Sequence, residues 1–243
     1  MANIIKELVR RSLFPKSSNL ASFRDPFQVM QQLLAGHDVT HILDAGASHG
    51  RISRKLLRLF PDASVHAFEP QPRYRDKLAQ LHESDARFIP YFLALSDTAG
   101  TIDLQITQSP GVTSLFRPNQ YLRTSCPEDS AIVSVETVEM TTIDGWAKSR
   151  GGIPLQLMKF DIQGGELQAL RGARETLDNS TLLVYTEILF NPLYEGGAIY
   201  SEIDLLLRDS GFILYDIYKP RYSGNGLLLW GNAIFIKQEI LQP

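Results

Sequence analysis

From residue 41 onward the chain alternates short apolar runs with stretches of helical periodicity, and this rhythm restricts the fold more than any other feature. His41–Gly46, Ser64–Glu69 and Arg87–Leu95 read as strands. Between them lie helical patterns over Gly50–Phe60, with Ile52, Leu56, Leu57 and Phe60 on one face, and over Arg73–His82. Such repetition specifies parallel strands joined by crossover helices, because a parallel connection must return along the face of its own sheet. The rhythm breaks at Thr101–Thr107 and Ile132–Met140, whose apolar–polar alternation predicts two half-buried antiparallel strands. Gln108–Ser130 between them holds three prolines and predicts a long loop, a length usually associated with function or disorder. The parallel pattern resumes with the strand Leu155–Asp161, the helix Glu166–Leu177, the strand Leu182–Ile188 and the helix Ile199–Asp209. The last strands, Phe212–Tyr218 and Ala233–Lys237, have no helix between them and are expected to pair antiparallel. The pattern as a whole predicts an α/β fold: a doubly wound, Rossmann-like, seven-stranded and mostly parallel sheet with its last strand antiparallel, plus an inserted β pair.

A chain of 243 residues is long for one domain and short for two. The expected organisation is a helical extension over residues 1–35 and one main domain over residues 36–243. Hydrophobic residues at 44% and charged residues at 21% suffice for a real core, and a net charge of -3 exerts no overall pull on nucleic acid or anionic membrane. The Arg51, Arg54, Lys55 and Arg58 cluster at helical spacing therefore reads as a solvated face, and no nucleic-acid partner is expected. The single cysteine, Cys126, excludes an internal disulfide and a cysteine-only metal site and fits a cytoplasmic location. No apolar run reaches the length of a transmembrane segment. The first fifteen residues carry charges that interrupt any leader-like apolar stretch. They predict an amphipathic helix, with Ile4, Ile5, Leu8, Val9 and Leu13 facing the domain or a second copy in a homo-oligomer; capping the site and touching a membrane surface are the other readings.

The densest local signal is His41-Ile-Leu-Asp-Ala-Gly-Ala-Ser-His-Gly50. A buried strand there ends near Asp44, turns through Gly46 and opens a helix near Gly50, which lets a ligand approach backbone N–H groups at a helix start. A dinucleotide cradle wants glycine at the middle position of G-x-G-x-x-G, where this chain has Ser48. Glu69 follows Gly46 by 23 residues, at the end of the second strand, where a carboxylate can accept from both hydroxyls of a ribose. Asp44 suits a ligand carrying ammonium and sulfonium groups and would repel a pyrophosphate. The combination points to an S-adenosyl-L-methionine site and disfavours a nicotinamide-dependent oxidoreductase.

Six segments resemble the FkbM-type methyltransferases: ILDAGASHGRIS, VHAFEPQPRYRDKL, FLALSDTAGTIDL, VEMTTIDGW, LMKFDIQGGELQALRGA and the glycine–phenylalanine segment near the end. The resemblance spans roughly residues 40–237. It implies S-adenosyl-L-methionine binding and methyl transfer, commonly to hydroxyls of sugars or natural products. It maps Asp44, Gly46, Ala47, Glu69 and Asp161 to the cofactor cleft, and Leu95 and Ser96 near the adenine. The family usually carries D-x-E-G-x-E where this chain has Asp161-Ile-Gln-Gly-Gly-Glu166, so Gln163 stands in place of a glutamate.

A free hydroxyl is a weak nucleophile at neutral pH, and a positioned base or a metal would assist its methylation. Asp161, ending the fourth parallel strand, is the first candidate for base or orienter, with helix capping as its alternative. Glu187, near the end of the fifth, is the second. A divalent metal between the two lacks a third clear ligand and is not supported. Asn191-Pro-Leu-Tyr194 resembles the N/D-P-P-Y grip of nucleic-acid methyltransferases, but it lacks the second proline and follows the fifth strand, so it reads as a loop lining the acceptor pocket. The expected activity is O-methyl transfer to a small-molecule or glycan hydroxyl, in a pocket between the Gln108–Ser130 loop, the Leu189–Ile199 loop and the cofactor. N-methyl transfer and a catalytically silent binding protein are the alternatives.

Overall fold

The computed structural model describes residues 24–241. The amphipathic segment around Ile4–Leu13 lies outside them. The first described helix, α1 (Pro26–Leu33), starts on Asp25, whose carboxylate accepts from Phe27 N–H, with Pro26 in the first turn where no amide hydrogen is needed. Its Phe27, Val29 and Met30 are buried in the main core.

Seven strands form the central sheet: β1 (His41–Ala45), β2 (Ser64–Phe68), β3 (Phe88–Tyr91), β7 (Leu157–Phe160), β8 (Leu183–Leu189), β9 (Phe212–Tyr222) and β10 (Leu228–Lys237). Their order is β3-β2-β1-β7-β8-β10-β9, parallel except for β10, which runs against both neighbours. This is the doubly wound arrangement with an antiparallel strand that the apolar rhythm predicts. Alternate side chains feed two cores. Ile42, Leu157, Leu183 and Ile234 face α1, α2 (Arg51–Leu59) and α3 (Arg75–Ser84). Leu43, Met158, Val184 and Phe235 face the helices α5 (Ile143–Lys148), α6 (Glu166–Arg171), α7 (Arg174–Asn179) and α8 (Tyr200–Asp209). Each fully buried Leu, Ile or Phe contributes about 1.5–3 kcal/mol through burial.

Four details differ from the sequence expectation. The strand expected over Arg87–Leu95 divides. β3 stays at the sheet edge, where Pro90 is tolerated, while β4 (Ala94–Leu95) leaves the main sheet to pair with Met140–Thr141. The inserted pair is therefore a three-stranded sheet, β4-β6-β5, with β5 over Gly100–Thr107 and β6 over Ile132–Thr141. The helix expected over Glu166–Leu177 breaks at Gly172, where an added Cβ would collide with the Ser96 carbonyl. Asp144 then restarts it as α7 by accepting from the N–H groups of Glu175 and Thr176. The Gln108–Ser130 stretch holds a short helix, α4 (Gln120–Ser125), begun by the Asn119 side chain.

Chain order reverses between β1 and β7: from β1 the chain winds outward to β3, then returns to β7 and winds the other way. In open α/β sheets the crevice at such a switch, beyond the carboxyl ends of the strands, receives ligands. Gly46 and Asp161 emerge side by side there, with Asp161 N–H donating to Ala45 C=O.

Candidate active site

A cavity of about 870 Å3 occupies the switch-point crevice. Its first wall is the turn after β1. Gly46 has φ 74°, and an added Cβ would overlap the Asp161 carbonyl, so only glycine lets the two strand ends approach. Glu69 forms the next wall. It is 3% exposed, and its two oxygens accept from Ser48 N–H at 2.8 Å and Gln71 N–H at 3.0 Å. Burial pushes its pKa up, partly countered by those two donors. Ala47 and Leu95 line the cavity nearby. Ser96 does not; it sits behind Leu95, its N–H given to Thr141 C=O.

Asp44 stands beneath the turn, fully buried and outside the cavity lining. Its carboxylate pairs with Lys159 Nζ at 2.9 Å and accepts from Ser53 Oγ at 2.5 Å. Lys159 also donates to the carbonyls of Ala45 and Gly46, both at 3.0 Å. Burial opposes the Lys159 ammonium, but Asp44 and Asp161 more than offset it and hold its pKa above the usual lysine value. The Asp44–Lys159 pair thus sets the shape of the glycine turn from below. No sequence motif points to Lys159, but a lysine inside the apolar run LMKF is itself a signal, since buried lysines require a partner.

The opposite wall carries the two predicted catalytic carboxylates. Asp161 follows β7 and reaches solvent, while Glu187 projects from β8 alongside Tyr185 and Leu189. Gln163 lies between them. Its Nε2 donates to Asp161 Oδ1 at 2.8 Å and to Glu187 Oε2 at 3.2 Å, and its Oε1 accepts from Tyr194 OH at 2.8 Å. Burial, then Asp161 and Glu166, push the Glu187 carboxyl well above the usual range. Glu166 stays out of the cavity lining. It is buried and accepts from Ile162 and Gly164 N–H, which fixes the loop bearing Gln163. Burial raises it to about 7.

The roof is built from two loops strapped together. Asn119 N–H donates to Leu193 C=O at 2.9 Å, and Glu195 N–H to Arg117 C=O at 2.9 Å. Val112, Leu122, Leu193 and Tyr194 present an apolar surface there, packed with Trp230. Asn191 turns away from the cavity and donates to Leu228 C=O, so the Asn-Pro-Leu-Tyr stretch anchors β10 while only its tyrosine and leucine reach the cavity. The β9–β10 side adds Arg221, Trp230 and Asn232, which sequence reasoning did not place in the site. Arg51 and Arg54 reach the cavity rim, whereas Lys55 pairs with Asp25 at 2.7 Å. Among the described residues no group of three or more His, Cys, Asp or Glu is arranged to hold a metal, and no helix is long and apolar enough to cross a membrane.

The sheet is Rossmann-like and seven-stranded, with a cavity at its switch point, a glycine turn after β1 and an acid after β2. Residues 44–214 match the Methyltransferase FkbM domain, and the chain belongs to that family of methyltransferases. Among curated relatives, the 2-O-methyltransferase NoeI of Sinorhizobium fredii is 31% identical over 179 residues, covering 68% of this chain and 70% of that protein. The methyltransferase sdnD of Sordaria araneosa is 28% identical over 203 residues, covering 74% of this chain and 75% of its own. The crystal structure of methyltransferase FkbM from Methylobacillus flagellatus superposes with a TM-score of 0.47 at 15% identity, covering 82% of this chain and 44% of that one.

Proposed function

We propose that this chain is an S-adenosyl-L-methionine-dependent O-methyltransferase acting on a hydroxyl of a sugar, glycolipid or natural product. The observation that carries the reading is the placement, around one cavity, of a buried ribose-type acid, Glu69, beside the Gly46 turn and of a solvent-reaching carboxylate, Asp161, opposite an apolar roof. The similarity to a 2-O-methyltransferase supports oxygen as the acceptor atom.

The residues present fit the cofactor. Glu69, pinned by two backbone donors, keeps lone pairs free for a cis-diol. Gly46 and Ala47 offer backbone without side-chain bulk, and Leu95 offers an apolar wall for a purine. The bound cofactor would supply an electrophilic methyl group. The chain's own residues then have two tasks, to align the acceptor oxygen and to take its proton. Asp161 receives that proton on its carboxylate. Glu187, whose carboxyl burial pushes well above the usual range, lines the cavity beside it and hydrogen-bonds to the acceptor. The apolar roof of Val112, Leu122, Leu193 and Trp230 excludes water from the transfer.

The test is transfer of a labelled methyl group to a panel of sugar, glycolipid and polyol acceptors. Asp161→Asn is expected to lower kcat by about 10²–10⁴-fold, the usual range for a lost general base, with cofactor affinity little changed. Near-normal turnover by that variant would remove Asp161 from the mechanism. Transfer only to amine acceptors would replace O- by N-methylation.

A further inference from the structure

Three observations single out Gln163, the position where the chain departs from the glutamate of its family's pattern. Its backbone lies in the left-handed region at φ 57°, which costs a non-glycine residue energy and persists only where the surroundings enforce it. Its carbonyl accepts from Ser114 Oγ at 2.7 Å, tying it to the insertion, and Glu166 holds the amides on either side. Its side-chain amide meets three functional groups at once: two carboxylates through Nε2 and the Tyr194 hydroxyl through Oε1. The chemistry determines which way the amide points. Turned over, its oxygen would face the two carboxylates and leave both without a donor.

We propose that Gln163 is the positioning residue of this site, its two amide protons standing between Asp161 and Glu187 where a divalent cation stands in acid-rich centres. A neutral amide links two acids without neutralising either. The two carboxylates therefore repel, and Asp161 adds to the burial that pushes the Glu187 carboxyl up. Glu187, the buried member, is the one pushed toward holding a proton, and Asp161 lies at the solvent side. The charged and titratable groups around Glu187 are Asp161 and Lys159 after and within β7, Glu166 at the start of α6, Tyr185 on β8 and Tyr194 from the roof; Asn232 faces it from β10. Only Lys159 among these favours the ionised form, and Asp44 engages it from the other side. Through Tyr194 on its side-chain amide and Ser114 on its backbone carbonyl, Gln163 also couples the acid pair to the two roof loops.

The catalytic part of this inference rests on the proposed methyl transfer, whereas its structural part does not. The experiment is Mn²⁺ titration, followed by water-proton relaxation, of the wild-type chain, Gln163→Glu and Gln163→Leu, alongside the pH dependence of kcat on any acceptor found. Gln163→Glu completes a group of three carboxylates and is expected to bind Mn²⁺ at least tenfold more tightly than the wild type, with the effect lost in Gln163→Glu/Asp161→Asn. It is also expected to move the acid limb of the pH profile upward by about one unit, because a third acid raises the other two. Gln163→Leu keeps the volume and removes the bridge; its kcat is expected to fall about tenfold with the KM for cofactor unchanged and the acid limb shifted. Equal Mn²⁺ binding by wild type and folded Gln163→Glu would overturn the proposal, as would a wild-type kcat and pH profile in Gln163→Leu. If Gln163→Glu does not fold, the Leu variant decides alone. A wild-type chain that transfers no methyl group would sink the proposed function and leave the Mn²⁺ comparison standing as the test of the bridge.

Discussion

The two halves of the cavity are built by different means. The half over β1 and β2 is made of backbone: the Gly46 turn, the amides of Ser48 and Gln71, and one acid, Glu69, supplied within a continuous stretch of the chain. The half over β7, β8 and β10 is made of side chains drawn from six separate segments, from Val112 to Asn232, which meet only in the folded state. A site built from a local turn constrains its ligand by shape and binds the part common to many reactions. A site built from convergent side chains is free to vary, and under the proposed function it is where acceptor choice resides.

Changes to the two halves should therefore separate: the first should lose stability and cofactor affinity, the second turnover. The largest stability effect is expected from Lys159→Met. It leaves Asp44 as a fully buried acid with only Ser53 to satisfy it, at a cost of about 3–5 kcal/mol in urea unfolding. A loss below about 1 kcal/mol would show that the pair does not support the turn.

Next in size is a pH effect from beneath the acceptor half. Glu166 is held near 7 against an ordinary 4.5, so between those values the folded state keeps a proton that the unfolded state releases. The contribution of Glu166 to stability is then full below pH 4.5 and is lost as pH rises to about 7, by up to roughly 3 kcal/mol, and Glu187 acts in the same direction. Unfolding measured at a series of pH values in the wild type and in Glu166→Gln should show a shallower fall in the variant; identical slopes would remove Glu166 as the cause. Gly46→Ala comes third. It forces a Cβ against the Asp161 carbonyl at positive φ and is expected to cost about 2–3 kcal/mol and to weaken cofactor binding. Unchanged melting together with unchanged cofactor affinity would mean that the crevice has slack.

The same contrast explains what was legible in the sequence. Sheet order and the β1–β2 wall follow from periodicity and from one glycine–acid spacing, both local signals, and Gly46 and Glu69 both line the cavity. Asp44 carries the same local signal, yet the structure places it under the turn rather than in the cavity lining, paired with Lys159 from a strand 115 residues away. The break at Gly172 depends on the Ser96 carbonyl, and the escape of β4 depends on Met140. Neither contact has a local sequence signature. Trp230, Arg221 and Asn232 stayed hidden for the same reason. They lie on a β9–β10 hairpin that extends beyond its apolar core, and apolar periodicity reports only the core.

The most direct test of the central claim is calorimetric titration of the purified chain with S-adenosyl-L-methionine, S-adenosylhomocysteine and NAD, with Glu69→Ala in parallel. Removing a buried carboxylate that receives two ribose hydroxyls should weaken binding by about 10–100-fold, the scale of lost hydrogen bonds to a charged group. The account predicts micromolar binding of the first two ligands, that loss in the variant, and no binding of NAD. Binding of NAD alone, or equal affinity of the wild type and Glu69→Ala for S-adenosylhomocysteine, would contradict it.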